Sequence, residues 1–167
     1  MNNNTQKAKA LLLDGDYTLV AICNNEILTS HERGIKPLLK LLDINMNLKG
    51  YSVADKVIGK AAAFLYVLLE TDEIYANVIS ESALDILTEY HLKTNYEILT
   101  KAIRNRDNTG FCPMETAVID TENADEALIR IRNTLISYPE PSATDQRQQD
   151  PRDNRPSHIY RRLHGRE

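Results

Sequence analysis

"ADKVIGKAAAFLYVLLE", residues 54–70, decides how this chain is read. From Val57 to Leu69 the only charged side chain is Lys60. An apolar run of this length belongs inside a protein. At about 100° per residue it is expected to form one long helix over 53–69. On such a helix Val53, Val57, Ile58, Ala61, Ala62, Leu65, Leu68 and Leu69 make the core-facing side. Lys56 and Lys60 then stack one turn apart on the other side, and Gly59 leaves room for a backbone or ligand to approach. Three readings of the lysines stand open. Lys60 snorkels to water. Alternatively, Lys56, Lys60 and Gly59 line an anion pocket, or Lys60 is desolvated and reactive. In the third, this face meets another subunit.

Outward from this run, "YTLVAICNNEILTS" (17–30) is a hairpin signal, with apolar and β-branched residues on both sides of Asn24-Asn25. Both faces of its strands are apolar, so both are expected to be covered. An amphipathic helix over about 5–13 precedes it and stops at Gly15. "GIKPLLKLL" (34–42) is a short helix with Pro37 in its first turn. "EIYANVI" (73–79) reads as a strand and "SESALDILTEY" (80–90) as a helix with Ser80 or Ser82 as N-cap. "KTNYEIL" (93–99) is another strand. "CPMETAVI" (112–119) starts a helix on Cys112 and Pro113. "NADEALIRIRNTLIS" (123–137) closes the core, with Ala124, Leu128, Ile131 and Leu135 on one face. A hairpin followed by helix–strand–helix–strand implies an α/β fold, a three-layer α/β/α sandwich around a mixed sheet.

Composition narrows the function classes. The 167 residues carry a net charge of −4, which argues against non-specific binding of nucleic acid, since phosphate neutralisation needs a basic face. Two cysteines far apart, Cys23 and Cys112, make neither a disulfide scaffold nor a zinc ribbon. "MNNNTQKAK" lacks the features of a secretory signal. "AAAFLYVLL" (61–69) is too short to span a membrane between Lys60 and Glu70. A cytoplasmic setting is therefore expected, with no membrane partner. From Tyr138 onward the chain holds four of the six prolines and almost no aliphatic side chains. Residues 1–137 are expected to form the domain, and 138–167 a disordered tail.

Two further stretches carry candidate chemistry. In "NRDNTGFCPMETA" (105–117), Cys112 places a thiol at a helix N-terminus, and Glu115 can reach back to the cap backbone as in a capping box. The alternative is a cap residue with ordinary chemistry. Arg106 is a turn former or a holder of phosphate or carboxylate. In "VISESAL" (78–84) a strand runs into Ser80 and Ser82 at a helix start, a junction that presents backbone N–H groups to anions.

"GDYTLV", "GIKPLL", "ADKVIGKAAA", "ISESAL" and "NRDNTGFCPMETAV", in that order, resemble a small prokaryotic family. It is known as domain of unknown function eighteen-ninety-three, and its fold is that of the cytidine deaminase superfamily. The likeness covers about residues 5–120. In that superfamily His-Ala-Glu at a helix start supplies a zinc ligand and the proton-shuttling glutamate, and a later Pro-Cys-x-x-Cys supplies two more ligands. Laid on this chain, Lys60-Ala61-Ala62 falls where His-Ala-Glu belongs, and "ISES" where the cysteines belong. The resemblance therefore implies a cytidine deaminase-like domain without zinc or another cofactor. A cation at Lys60 or Lys56 would replace the metal's charge, in a pocket receiving a small phosphate-bearing or nucleotide-like ligand. The expected lining is Asp55, Lys56, Lys60, Ser80, Ser82, Arg106, Cys112 and Glu115. The alternatives are a metal-independent enzyme using Lys60 or Cys112, and an interaction protein whose helices form a homodimer.

Overall fold

The structure is a computed structural model that describes residues 1–105, 107–137 and 160–163. Two helices flank the first hairpin: α1 (Asn3–Asp14) precedes strands β1 (Leu19–Cys23) and β2 (Glu26–Ser30), and α2 (Lys36–Asp43) follows. The parallel part comprises β3 (Ser52–Ile58), α3 (Lys60–Leu68), β4 (Glu73–Ser80), α4 (Glu81–Glu89) and β5 (Lys93–Thr100). The chain continues through α5 (Pro113–Ala117) and α6 (Ala124–Ser137), and Tyr160–Leu163 forms β6. The six strands make one mixed sheet in the order β5-β4-β3-β1-β2-β6. β3, β4 and β5 run parallel; β1 is antiparallel to both β2 and β3.

The largest departure from the sequence reading lies in the opening stretch. It is a strand and a helix, split at Gly59, and not one helix over 53–69. Lys56 is on β3 and Lys60 opens α3, so the two lysines do not stack one turn apart. An unbroken apolar run cannot separate a buried strand from a buried helix, because periodicity vanishes when every face is covered. Both pieces are covered here. Val53 and Ala54 are fully buried in different clusters on the two faces of the sheet, and Ala61 through Tyr66 of α3 are all buried.

Alternation along the strands builds the layers. Val20 and Ile22 pack with Ala54 and Tyr75 against Ala8 and Leu12 of α1 on one face. Leu19, Ala21, Val53 and Ile74 join the larger core on the other, where α3 packs beside α2, α4 and α6. The hairpin turn falls on Asn24-Asn25 as expected, with Cys23 paired to Glu26 and Asn24 at φ 52°. A buried carboxylate anchors α1 to the sheet. Glu73 accepts from Thr5 Oγ1 at 2.6 Å, from the Asn2 amide at 3.0 Å and from Asn95 Nδ2 at 3.2 Å.

Residues 160–163, expected to belong to a disordered tail, pair antiparallel with β2, Glu26 opposite Leu163 and Thr29 opposite Tyr160. Hydrogen-bonding the open edge of β2 needs only backbone groups, which explains how a stretch poor in aliphatic side chains can be placed there. The rest of the expected tail, 138–159 and 164–167, lies outside the described residues. Among the described residues no helix is long and apolar enough to cross a membrane.

α3 is the centre of the larger core, so its side chains should dominate stability. Phe64 is fully buried and Ile129 on α6 is 60% exposed. Phe64→Ala is expected to cost about 3–5 kcal/mol in urea unfolding, and Ile129→Ala less than about 0.5 kcal/mol.

Candidate functional site

The carboxyl ends of β3 and β4 run directly into α3 and α4, so the N-termini of both helices open at one end of the sheet. At α3 the first amides are already occupied. Glu115 Oε2 accepts from the Lys60 amide at 2.8 Å and Oε1 from the Ala61 amide at 3.0 Å. Glu115 therefore caps the neighbouring helix rather than its own, correcting the capping-box expectation. α5 is only five residues long and leaves the glutamate free to point across to α3. A carboxylate is well suited to this place, because the unpaired N–H groups and the helix dipole both favour negative charge. Burial raises the Glu115 pKa, opposed by the Ala61 and Lys60 amides and then by the Lys60 charge.

Gly59 is required by this contact and not by its backbone, which is extended at φ −97° and ψ 177°. A Cβ at residue 59 would stand 2.3 Å from Glu115 Oε1. The close approach expected at this glycine is thus made by the protein's own carboxylate. Lys60 turns to the backbone: its Nζ donates to the Ile119 carbonyl at 2.8 Å and lies 5.8 Å from the centre of the Phe64 ring.

The other expected site residues fall into separate groups. Ser80 caps α4, its Oγ accepting from the Ala83 amide at 3.2 Å, and the Ser82 hydroxyl lies 3.2 Å from it. Cys112 is the partly buried cap residue of α5, with no side-chain cap bond. Arg106 lies outside the described residues. Asp55 and Lys56, by contrast, line a cleft of about 330 Å³ with Thr18, Glu32, Arg33 and Val57. It sits at the carboxyl end of β3, beside the start of antiparallel β1, where the sheet changes from parallel to antiparallel. Open α/β sheets bind ligands at the carboxyl ends of their parallel strands. A larger recess of about 450 Å³, lined by Lys49, Asp72 and His91 among others, lies at their opposite ends, so the smaller cleft is the better candidate.

Asp55 is the unusual group in this cleft. It is only 8% exposed, its Oδ2 accepts from the Tyr66 hydroxyl at 2.5 Å and its Oδ1 from the Val57 amide at 3.0 Å. The turn it makes with its own backbone breaks the strand's alternation: Ile58 is buried in the core and Val57 is 45% exposed. Burial pushes the Asp55 carboxyl up to about 6, against the lowering effect of the Tyr66 hydroxyl and the Val57 and Lys56 amides. Tyr66 is raised in turn by its own burial and by the carboxylate beside it. Glu32 adds a second carboxylate. Its Oε1 pairs with Lys40 at 2.8 Å, while its Oε2 is buried with no hydrogen-bond partner among the described residues. Sequence reasoning named Asp55 and Lys56 but missed Thr18, Glu32, Arg33 and Tyr66. "HERG" (31–34) and the tyrosine of an apolar helix carried no spacing that links them to Asp55.

Glu115→Ala is expected to cost about 1–2 kcal/mol by loss of a helix cap. Gly59→Ala should cost a similar amount alone and close to nothing in the Glu115→Ala background, where the clash is gone; a double-mutant cycle by urea unfolding reads the difference. For Asp55, the raised pKa means that its contribution to stability is present below its ordinary value of 3.8 and is lost as pH rises through about 6. Between those pH values the wild type should lose stability relative to Asp55→Asn. Unfolding curves that stay parallel across that window would contradict it.

The comparisons with known proteins agree with this architecture. The family model described as Domain of unknown function (DUF1893) matches residues 7–135. The crystal structure of a DUF1893 family protein (TM1506) from Thermotoga maritima is similar at 31% identity, with a TM-score of 0.73 over 82% of this chain and 91% of that one. No curated protein matches. With a family model spanning α1 through most of α6 and a solved structure of the same family matching its course, the chain belongs to the DUF1893 family.

Proposed function

We propose that this chain is a zinc-free, cytidine deaminase-like domain that binds a small phosphate-bearing or nucleotide-like ligand in the cleft beside β3. The observation that carries this reading is the buried Asp55 carboxyl, held by Tyr66 and lining a cleft that also holds Lys56 and Arg33. The two cations suit a phosphate, and the Asp55 and Glu32 carboxyls suit the amino and hydroxyl donors of a base or sugar. Glu32 Oε2, a buried acceptor without a donor among the described residues, supports the second half of that assignment.

The deaminase-like and zinc-free parts rest on the opening of α3. Lys60-Ala61-Ala62 begins that helix, and Ser80 begins α4, the two places where the resemblance puts zinc ligands in a deaminase. Neither offers an imidazole or thiolate. Among the described residues no three His, Cys, Asp or Glu side chains come together as a metal site. The α3 N-terminus already holds Glu115, so the reading moves the ligand from Lys60 to Lys56. A second reading, a metal-independent enzyme, is favoured by the same Asp55. A carboxyl pushed up to about 6 by burial, at the wall of a cleft, is suited to move a proton.

Thermal shift with nucleoside monophosphates and sugar phosphates tests the reading. A ligand at about 100-fold its Kd should raise Tm by about 5–10 °C. Lys56→Met should abolish the shift, and Lys60→Met should leave it. Loss with Lys60→Met alone would return the site to the α3 N-terminus. Absence of any shift across the phosphate panel would overturn the reading.

A further inference from the structure

The two edges of the sheet are treated differently. β2 is covered by β6, whereas among the described residues β5 pairs only with β4 and ends the sheet. An open edge is normally blunted by shortness, proline, bulges or charge. β5 is eight residues long and has no proline, and beside the charges of Lys93 and Glu97 it exposes three large apolar side chains. Tyr96 is 43% exposed, Ile98 52% and Leu99 43%. Ile98 and Leu99 are neighbours on a strand, so they point to opposite faces of the sheet.

We propose that β5 is the interface through which two copies of this chain associate, pairing antiparallel about a two-fold axis to continue the sheet from one protomer into the next. A second copy brings a strand whose side chains alternate to both faces and, packed against it on one of them, its own α4. An isolated extended peptide has no such layer. The charges of the strand also fit themselves. Lys93 and Glu97 lie on the same face, on either side of Asn95. Glu97 is 57% exposed even while bonded to Lys9 at 3.0 Å. With Asn95 on the two-fold axis, Lys93 of each protomer stands opposite the partner's Glu97, and the pair forms twice.

Sedimentation equilibrium of the full chain tests this by charge exchange. The wild type should be a dimer that dissociates on dilution. Lys93→Glu and Glu97→Lys should each weaken it by about tenfold or more, because each places like charges opposite each other twice. An equimolar mixture of the two should restore the dimer, since the mixed pair matches both charges. Glu97 also accepts from Lys9 within its own chain, so circular dichroism checks that Glu97→Lys is folded. Ile98→Lys, which leaves that bond alone, should dissociate the dimer in the same way. A wild type that stays monomeric at every concentration would overturn the proposal. So would a dimer that survives Lys93→Glu and Ile98→Lys at wild-type strength.

Discussion

Glu115 reaches across 55 residues of chain to fill the N-terminus of α3. That single contact sets much of the geometry around it. It fixes α5 against the central helix and forbids a side chain at Gly59. It also satisfies the amides that a strand-to-helix junction would otherwise offer to an anion. The cost of burying the carboxylate shows in its raised pKa, and two backbone donors and the Lys60 charge offset part of it. A helix whose residues 61–66 are all buried has few ways to satisfy its first turn with water, so a donated side chain from elsewhere in the fold is the economical solution.

With that end of α3 closed, the cleft lies along the border of β3 with β1. Asp55 stands at the point where β3 meets antiparallel β1, and Tyr66 of α3 holds it from below. The same central helix thus fixes two carboxyls, one through its backbone and one through a side chain. They differ in availability. Glu115 spends both oxygens on the helix cap, while Asp55 lines a cleft with cations and a second, partly unpaired carboxylate beside it.

Much of the layered fold was legible in the sequence because local signals there are unambiguous. Asn24-Asn25 between two apolar runs gave the hairpin, Pro37 and Pro113 marked helix starts, and Ser80 capped α4. β3 was not legible, since "SVADKVI" joins an apolar helix without a turn and only Gly59 punctuates the join. Losing that strand also misplaced Lys56. The residues proposed as one pocket take separate roles: Asp55 and Lys56 line the cleft, Glu115 of α5 caps α3 beside Lys60, and Ser80 caps α4 beside Ser82. A cap donated from residue 115 to residue 60 has no local signature, and neither has a carboxyl–phenol pair formed between a strand and the next helix. Spacing within one element can be read from sequence; contacts between elements depend on packing.

A ligand seated beside β3, as proposed, would leave the α3 cap intact. Amide chemical-shift mapping during titration with a nucleoside monophosphate tests it most directly. The largest changes are expected on Thr18, Arg33, Lys56 and Val57, while the Lys60 and Ala61 amides keep the shifts of their bonds to Glu115. Large changes at Lys60 and Ala61 with none at Lys56 would show the ligand displacing Glu115 and would contradict it.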